Sequence, residues 1–164
     1  MRFLFKLSTI LSVAITAMVM TSGYANASNQ DEVDRILAME NPPLGVVFEI
    51  VEGDGGALEW AIPAVANYVK QLRKQFPDIA IAVVSHGSEQ FGLMKTKQQE
   101  HSEVHKTVQS LVADDVPVQV CGTHASWRGK GAEDFPDYVD VVPAGPTEIR
   151  NYEASGYTLI EIRR

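Results

Sequence analysis

Apolar positions along this chain fall into short runs and into longer stripes that recur every three or four residues. The runs Gly45 to Val51, Ile79 to Ser85 and Val116 to Val120 read as buried strands. Gly53-Asp54-Gly55-Gly56 forms the turn that leaves the first, and His86-Gly87 directly follows the second. Leu58, Ala61, Ile62, Val65, Ala66, Val69 and Leu72 trace one face of an amphipathic helix starting near Ala57. Pro63 fits that helix only in its first turn, where a missing N–H costs least. Val104, Val108, Leu111 and Val112 predict a second helix over Glu100 to Asp114. Val139 to Val142 predicts a short fourth strand, Thr147 to Ser155 a helix closed by Gly156, and Tyr157 to Ile162 a fifth strand.

Strands that alternate with helices, and are apolar throughout instead of at every second residue, predict a parallel sheet covered on both faces, an α/β fold. Ligands of such sheets collect at the carboxyl ends of the strands. His86 and Cys121 stand at the ends of strands two and three, so they share one rim if those strands are neighbours. Neither an internal repeat nor a low-complexity tract follows Ser28.

The first residues follow another pattern. Arg2 and Lys6 make a basic start, Leu7 to Met20 is uncharged and apolar, and Ala25-Asn26-Ala27 is a small-x-small cleavage pattern before Ser28. The apolar stretch is shorter than the about 20 residues that a spanning helix needs. Residues 1–27 therefore read as a signal peptide, with a retained anchor as the alternative. The expected destination is the periplasm of a Gram-negative bacterium, with no membrane anchor after cleavage. Residues 28–43 read as a short helix or an arm, with Val33, Ile36 and Leu37 at helical spacing until Asn41-Pro42-Pro43 interrupts them. The folded domain is expected over 44–164.

Removing residues 1–27 takes Arg2 and Lys6 from 14 basic residues and leaves 12 against 21 acidic, a formal net charge of about −9. Such a surface argues against nucleic-acid partners and anionic lipid. The remaining 137 or so residues suffice for one core without disulfide or metal.

Cys121 is the only cysteine. In an oxidising compartment a thiol without a partner in its own chain must be buried or used. Gly122 lets the chain turn after it, and Thr123 or Ser126 is placed to cap a short helix whose first N–H groups would face the sulfur and favour thiolate. Arg128 and a protonated His86 or His124 would act in the same direction. From spacing alone, an inert buried cysteine is as good a reading. His86 is either a general acid or base for the thiol or a ring that bonds loop carbonyls. Cys121, His86 and His124 together also make a candidate copper or zinc site. His101 and His105 stand four apart, but Glu103 has the wrong offset for HExxH, and a solvated helix face is expected. Gly53-Asp54-Gly55-Gly56 lacks the spacing of a nucleotide cradle, so no cofactor is expected. Trp127 either roofs the thiol or belongs to a contact between subunits.

Three stretches in order, Ile81-Ala82-Val83-Val84-Ser85-His86-Gly87, Val116-Pro117-Val118-Gln119-Val120-Cys121-Gly122-Thr123, and Val141-Val142-Pro143-Ala144-Gly145 with Gly156-Tyr157, resemble the DsrE/DsrF-like (DsrEFH) family of sulfur-relay proteins. The resemblance covers roughly Leu44 to Arg164. It implies a three-layer α/β/α domain with a five-stranded parallel sheet, assembled as a homo-oligomer, a trimer or hexamer. It further implies that Cys121 takes sulfane sulfur as a persulfide from a donor and passes it to a partner's thiol, which needs one cysteine and no more. His86 is then the neighbour that tunes the thiol, with His124, Arg128, Thr123 and Gly122 as secondary contributors. The well-studied relay members are cytoplasmic, so their tRNA-modification and reverse sulfite-reduction partners do not carry over to an exported chain. Three functions thus stand at this point: an exported sulfur carrier or sulfurtransferase, a soft-metal binding module, and an oligomeric scaffold with a buried thiol.

Overall fold

The computed structural model describes residues 28–164, so the expected signal peptide lies outside the described residues. Ten regular elements follow in chain order: α1 (Asn29–Leu37), β1 (Gly45–Ile50), α2 (Leu58–Gln75), β2 (Ala80–Ser85), α3 (Ser102–Ala113), β3 (Val118–Cys121), α4 (Gly122–Ser126), β4 (Asp140–Val142), α5 (Gly145–Ala154) and β5 (Tyr157–Ile162). The five strands form one sheet in the order β4-β3-β2-β1-β5, every pairing parallel. This is the parallel sheet covered on both faces that the alternation of runs and stripes predicts, in the three-layer, five-stranded form that the resemblance implies.

The two faces are unequal. Val46, Phe48 and Ile50 of β1, with Val83 of β2 and Val120 of β3, belong to the large core that also takes Val33 and Ile36 of α1, Leu58, Ile62 and Leu72 of α2, and Val108 of α3. The other face is covered by α5, whose Ile149 packs on Val47, Ala82 and Val84. Within residues 28–43 the segment Asn29–Leu37 is helical, and through Val33 and Ile36 the core reaches back before Leu44. Ser28 caps α1 in a reciprocal box with Asp31. The Asn29 side chain donates to the carbonyl of Arg163 at 2.7 Å and accepts from its N–H at 3.1 Å, tying the first helix to the last strand.

Pro63 lies in the second turn of α2, not the first. A one-turn 3-10 segment, Gly55–Ala57, capped by the Asp54 carboxylate on Gly56 N–H, precedes the helix. Pro63 and Glu59 are both exposed, so the carbonyl that loses its partner faces water and the buried stripe of α2 is untouched.

The second correction concerns α3. His105 is buried at 3 % exposure. Its Nε2 lies 3.0 Å from the Gly92 carbonyl and its Nδ1 2.7 Å from the Tyr138 hydroxyl. A carbonyl only accepts, so Nε2 carries the proton and Nδ1 accepts from the phenol. His101 is also largely covered, with Nδ1 3.2 Å from Glu59 Oε1. Burial holds the His105 pKa below the ordinary histidine value, although the Gly92 carbonyl pulls it the other way. With the folded value depressed, the unfolded chain binds the extra proton first. The stability His105 contributes is complete above pH ~6.5 and is lost as the pH falls below it. The melting temperature should therefore drop on acidification from about pH 7 to about pH 5, and His105→Gln should flatten that slope.

Candidate functional site

Parallel register places the site. Ser85 pairs with Val120, so His86 and Cys121 stand one step further along neighbouring strands. Cys121 is also paired with Val142 on its other side. The rim on which both residues were expected therefore exists. It opens into a pocket of about 570 Å³ lined by Val51, Glu52, Gly53, His86, Gly87, Ser88, Cys121, Thr123, His124, Trp127, Ala144 and Pro146.

Cys121 is 5 % exposed. Its own sulfur is the N-cap of α4, accepting the His124 N–H at 3.4 Å. Thr123 and Ser126, the expected caps, are used otherwise: the Thr123 hydroxyl donates to the Pro143 carbonyl at 2.8 Å and the Ser126 hydroxyl to the Thr123 carbonyl at 2.8 Å. A backbone N–H is aimed at the sulfur, and the sulfur receives it as part of the backbone turn itself. Gly122 has no left-handed backbone; among the described glycines those angles occur at Gly129 and Gly156. It is needed for close approach, because a Cβ there would meet the Val142 carbonyl at 3.0 Å and Val141 Cγ1 at 3.3 Å.

The backbone of Cys121 is clamped by a side chain absent from the sequence-based candidates. Gln90 is fully buried; its Oε1 accepts the Cys121 N–H at 2.8 Å and its Nε2 donates to the Cys121 carbonyl at 3.4 Å. Glu89 beside it is also fully buried, with Oε1 taking the Ser85 hydroxyl at 2.8 Å and Gly87 N–H at 2.9 Å, and Oε2 taking Glu52 N–H at 2.7 Å. Both come from the 3-10 stretch Ser88–Leu93, which packs under the rim and fixes the loops after β1 and β2.

A third unforeseen residue is Glu49. Its Oε1 lies 2.7 Å from His86 Nε2, with the two side chains only 17 % and 15 % exposed. A carboxylate accepts, so Nε2 carries the proton in neutral His86 and the Nδ1 lone pair is the base the ring offers. His124 has the opposite arrangement. Its Nδ1 donates to the His86 carbonyl at 2.9 Å. Its ring stands edge-on to Phe91 at 5.2 Å and tilted beside Trp127 at 5.5 Å.

Arg128 does not line the pocket. Its guanidinium sits 4.2 Å over the Phe91 ring and donates to the Ser88 hydroxyl at 2.9 Å, so it braces the loop after His86. The Cys121, His86, His124 metal site is not formed either. The two rings are bonded to Glu49 and to the His86 carbonyl, and among the described residues no three His, Cys, Asp or Glu side chains are placed to hold an ion.

The first turn of α5 closes the site from above. A Cβ on Gly145 would stand 2.6 Å from His86 Cβ and 3.0 Å from its Cγ. Gly145→Ala should therefore push His86 off Glu49 or lift α5, costing about 1–3 kcal/mol of stability in a melting experiment.

Fold and site together define an α/β/α protein whose single thiol stands at the carboxyl rim of a parallel sheet, capping a short helix beside a carboxylate-bound histidine. No family model matches the chain, and no curated protein matches it. Solved structures do. MTH1491 from Methanobacterium thermoautotrophicum, described as a protein of unknown function, superimposes with a TM-score of 0.59 at 25 % identity over 71 % of this chain and 96 % of its own. The ychN protein from E. coli gives 0.54 at 17 % identity over 72 % and 99 %. BT1422 from Bacteroides thetaiotaomicron, a conserved protein of unknown function, gives 0.51 at 11 % over 71 % and 94 %. These likenesses carry the fold.

Proposed function

We propose that this protein is a sulfane-sulfur carrier, with Cys121 as the persulfide-bearing nucleophile and His86, held by Glu49, as the base that takes its proton. The observation that carries the reading is the placement of Cys121: its sulfur caps α4 and accepts the His124 N–H on the wall of a pocket it shares with His86. Cys121 thiolate attacks the outer sulfur of a donor, a new S–S bond forms, the donor's S–S bond breaks, and its inner sulfur leaves with the electron pair. A partner's thiolate then attacks the outer sulfur of the persulfide and frees Cys121. No net oxidation occurs, so the single cysteine and the absence of a resolving thiol in the chain suit the cycle.

In this proposal the protein works after export, in the periplasm of a Gram-negative bacterium, and the receiving thiol belongs to another protein. Residues 1–27 support the location by their basic, apolar and small-residue pattern. Among the described residues no helix is long and apolar enough to cross a membrane. The DsrE/DsrF-like resemblance supports the sulfur cargo and a trimer or hexamer. Incubating the protein with polysulfide and weighing it tests the reading. The protein should gain sulfur that dithiothreitol removes and that prior alkylation of Cys121 prevents; no gain overturns it.

A further inference from the structure

The pocket beside Cys121 carries one charged side chain that the sulfur transfer leaves unused. Glu52 is the only carboxylate of the lining, which contains no lysine or arginine. Its backbone is fixed: the N–H goes to Glu89 at 2.7 Å, and the carbonyl accepts the N–H groups of Ser88 and Glu89. Its carboxylate has no hydrogen-bond or ion-pair partner among the described residues. Arg128 is turned instead to the Phe91 ring and the Ser88 hydroxyl. A proton on His86 is compensated by Glu49 at 2.7 Å, so it does not cancel the charge of Glu52. Trp127 lines the same pocket and is 77 % exposed, with His124 beside its ring at 5.5 Å. An unpaired carboxylate and an open indole both attract a cation, and an organic ammonium suits the two together. The negative end of such a molecule is also provided for, because the N–H groups of Gly53 and Ala144 in the lining have no acceptor among the described residues. A volume of about 570 Å³ is scaled to a small molecule.

We propose that the pocket takes a small aminothiol persulfide as sulfur donor, with the donor's ammonium group on Glu52 and against Trp127. This rests on the reading of Cys121 as a sulfur acceptor. The donor arrives ionised at sulfur, as ⁺H₃N–R–S–S⁻ with a short R. His86 takes the proton of Cys121 and passes it to the donor's outer sulfur. Cys121 thiolate attacks that sulfur, the Cys121–sulfur bond forms as the S–S bond of the donor breaks, and the inner sulfur leaves as R–S⁻ with the electron pair. One proton moves from Cys121 to the transferred sulfur, and one negative charge enters on the donor and leaves on the thiolate, so atoms and charge balance. The ammonium group that anchors the donor also stands near the thiolate that departs.

The test uses two donors that differ in one group, aminoethyl persulfide and hydroxyethyl persulfide. Sulfur on Cys121 is followed by mass, and each initial rate is divided by the same donor's rate with the uncharged thiol N-acetylcysteine methyl ester. The normalised rates should favour the aminoethyl donor about three- to tenfold, the scale of one partly screened ion pair with an aromatic contact, and the ratio should shrink as salt is raised. Glu52→Gln should bring the ratio to about one, and Trp127→Ala should lower it about twofold or more. Both variants should melt near the wild type, because the Glu52 backbone bonds remain and Trp127 is exposed. Equal normalised rates in the wild type, or a preference that survives Glu52→Gln, would overturn the donor assignment. An unchanged ratio in Trp127→Ala would overturn the contact with Trp127. Failure of every donor, polysulfide included, to load Cys121 would instead remove the carrier reading beneath it.

Discussion

Cys121→Ser is expected to take up no sulfur from any donor while melting close to the wild type. Serine is a better N-cap than cysteine, and its hydroxyl can accept the His124 N–H that Cys121 sulfur accepts now. The Gln90 clamp holds the backbone of residue 121 and does not depend on its side chain. Loss of uptake without loss of fold therefore isolates the thiol. Glu49→Gln makes the graded companion. The amide oxygen can still accept from His86 Nε2, so the ring keeps its orientation, but the carboxylate that stabilises the ring once it is protonated is gone. Uptake should slow on the order of tenfold to a hundredfold, reaching at most the lower end of the roughly 10²- to 10⁴-fold that general acid–base catalysis supplies, because the ring itself remains. Mass spectra over time measure both variants; an unchanged rate in Glu49→Gln would remove the base role from His86.

The largest effect on stability is expected from Glu89→Ala. Glu89 is fully buried and its carboxylate receives three donors, the Ser85 hydroxyl and the N–H groups of Gly87 and Glu52. Removing it leaves those donors unpaired away from water, at about 1–3 kcal/mol each if none finds a new partner. Relaxation and water entry would return part of that, so a net loss of about 3–5 kcal/mol is expected. Denaturant unfolding measures it. The same loops carry His86 and the pocket wall, so sulfur uptake should fall with it. A loss below about 1 kcal/mol would mean that the cage is not what holds the rim.

The parts of the molecule legible in its sequence are those set by continuous burial. Strands of a parallel sheet are covered on both sides, so Ile79 to Ser85 and Val116 to Val120 stand out as apolar runs, and the rim follows from where they stop. Polar residues buried for a structural reason send no such signal. Glu89 and Gln90 read like any polar loop after His86-Gly87, because nothing in their identity says that the loop folds under the sheet edge. Glu49 did leave a trace, as the one charged residue inside the apolar strand Gly45 to Ile50. A lone carboxylate there must meet a cation or a donor, and His86, one residue past the end of the neighbouring strand β2, is that partner. His105 left one too. With His101, Val104, Val108, Leu111 and Val112 it completes an i, i+3, i+4, i+7 stripe, which places it on the buried side of α3. The cap of α4 was sought among hydroxyls because those are the usual caps, whereas the sulfur itself holds that position.

The central claim is that Cys121 receives sulfur and gives it up again. Its most direct test is to load the protein from a donor carrying isotopically labelled sulfane sulfur, locate the label by tandem mass spectrometry, and then add a protein thiol acceptor. The label should sit on the peptide containing Cys121, disappear on addition of the acceptor, and reappear on the acceptor in equal amount. Label that never reaches Cys121, or that stays there whatever thiol is offered, would contradict the account.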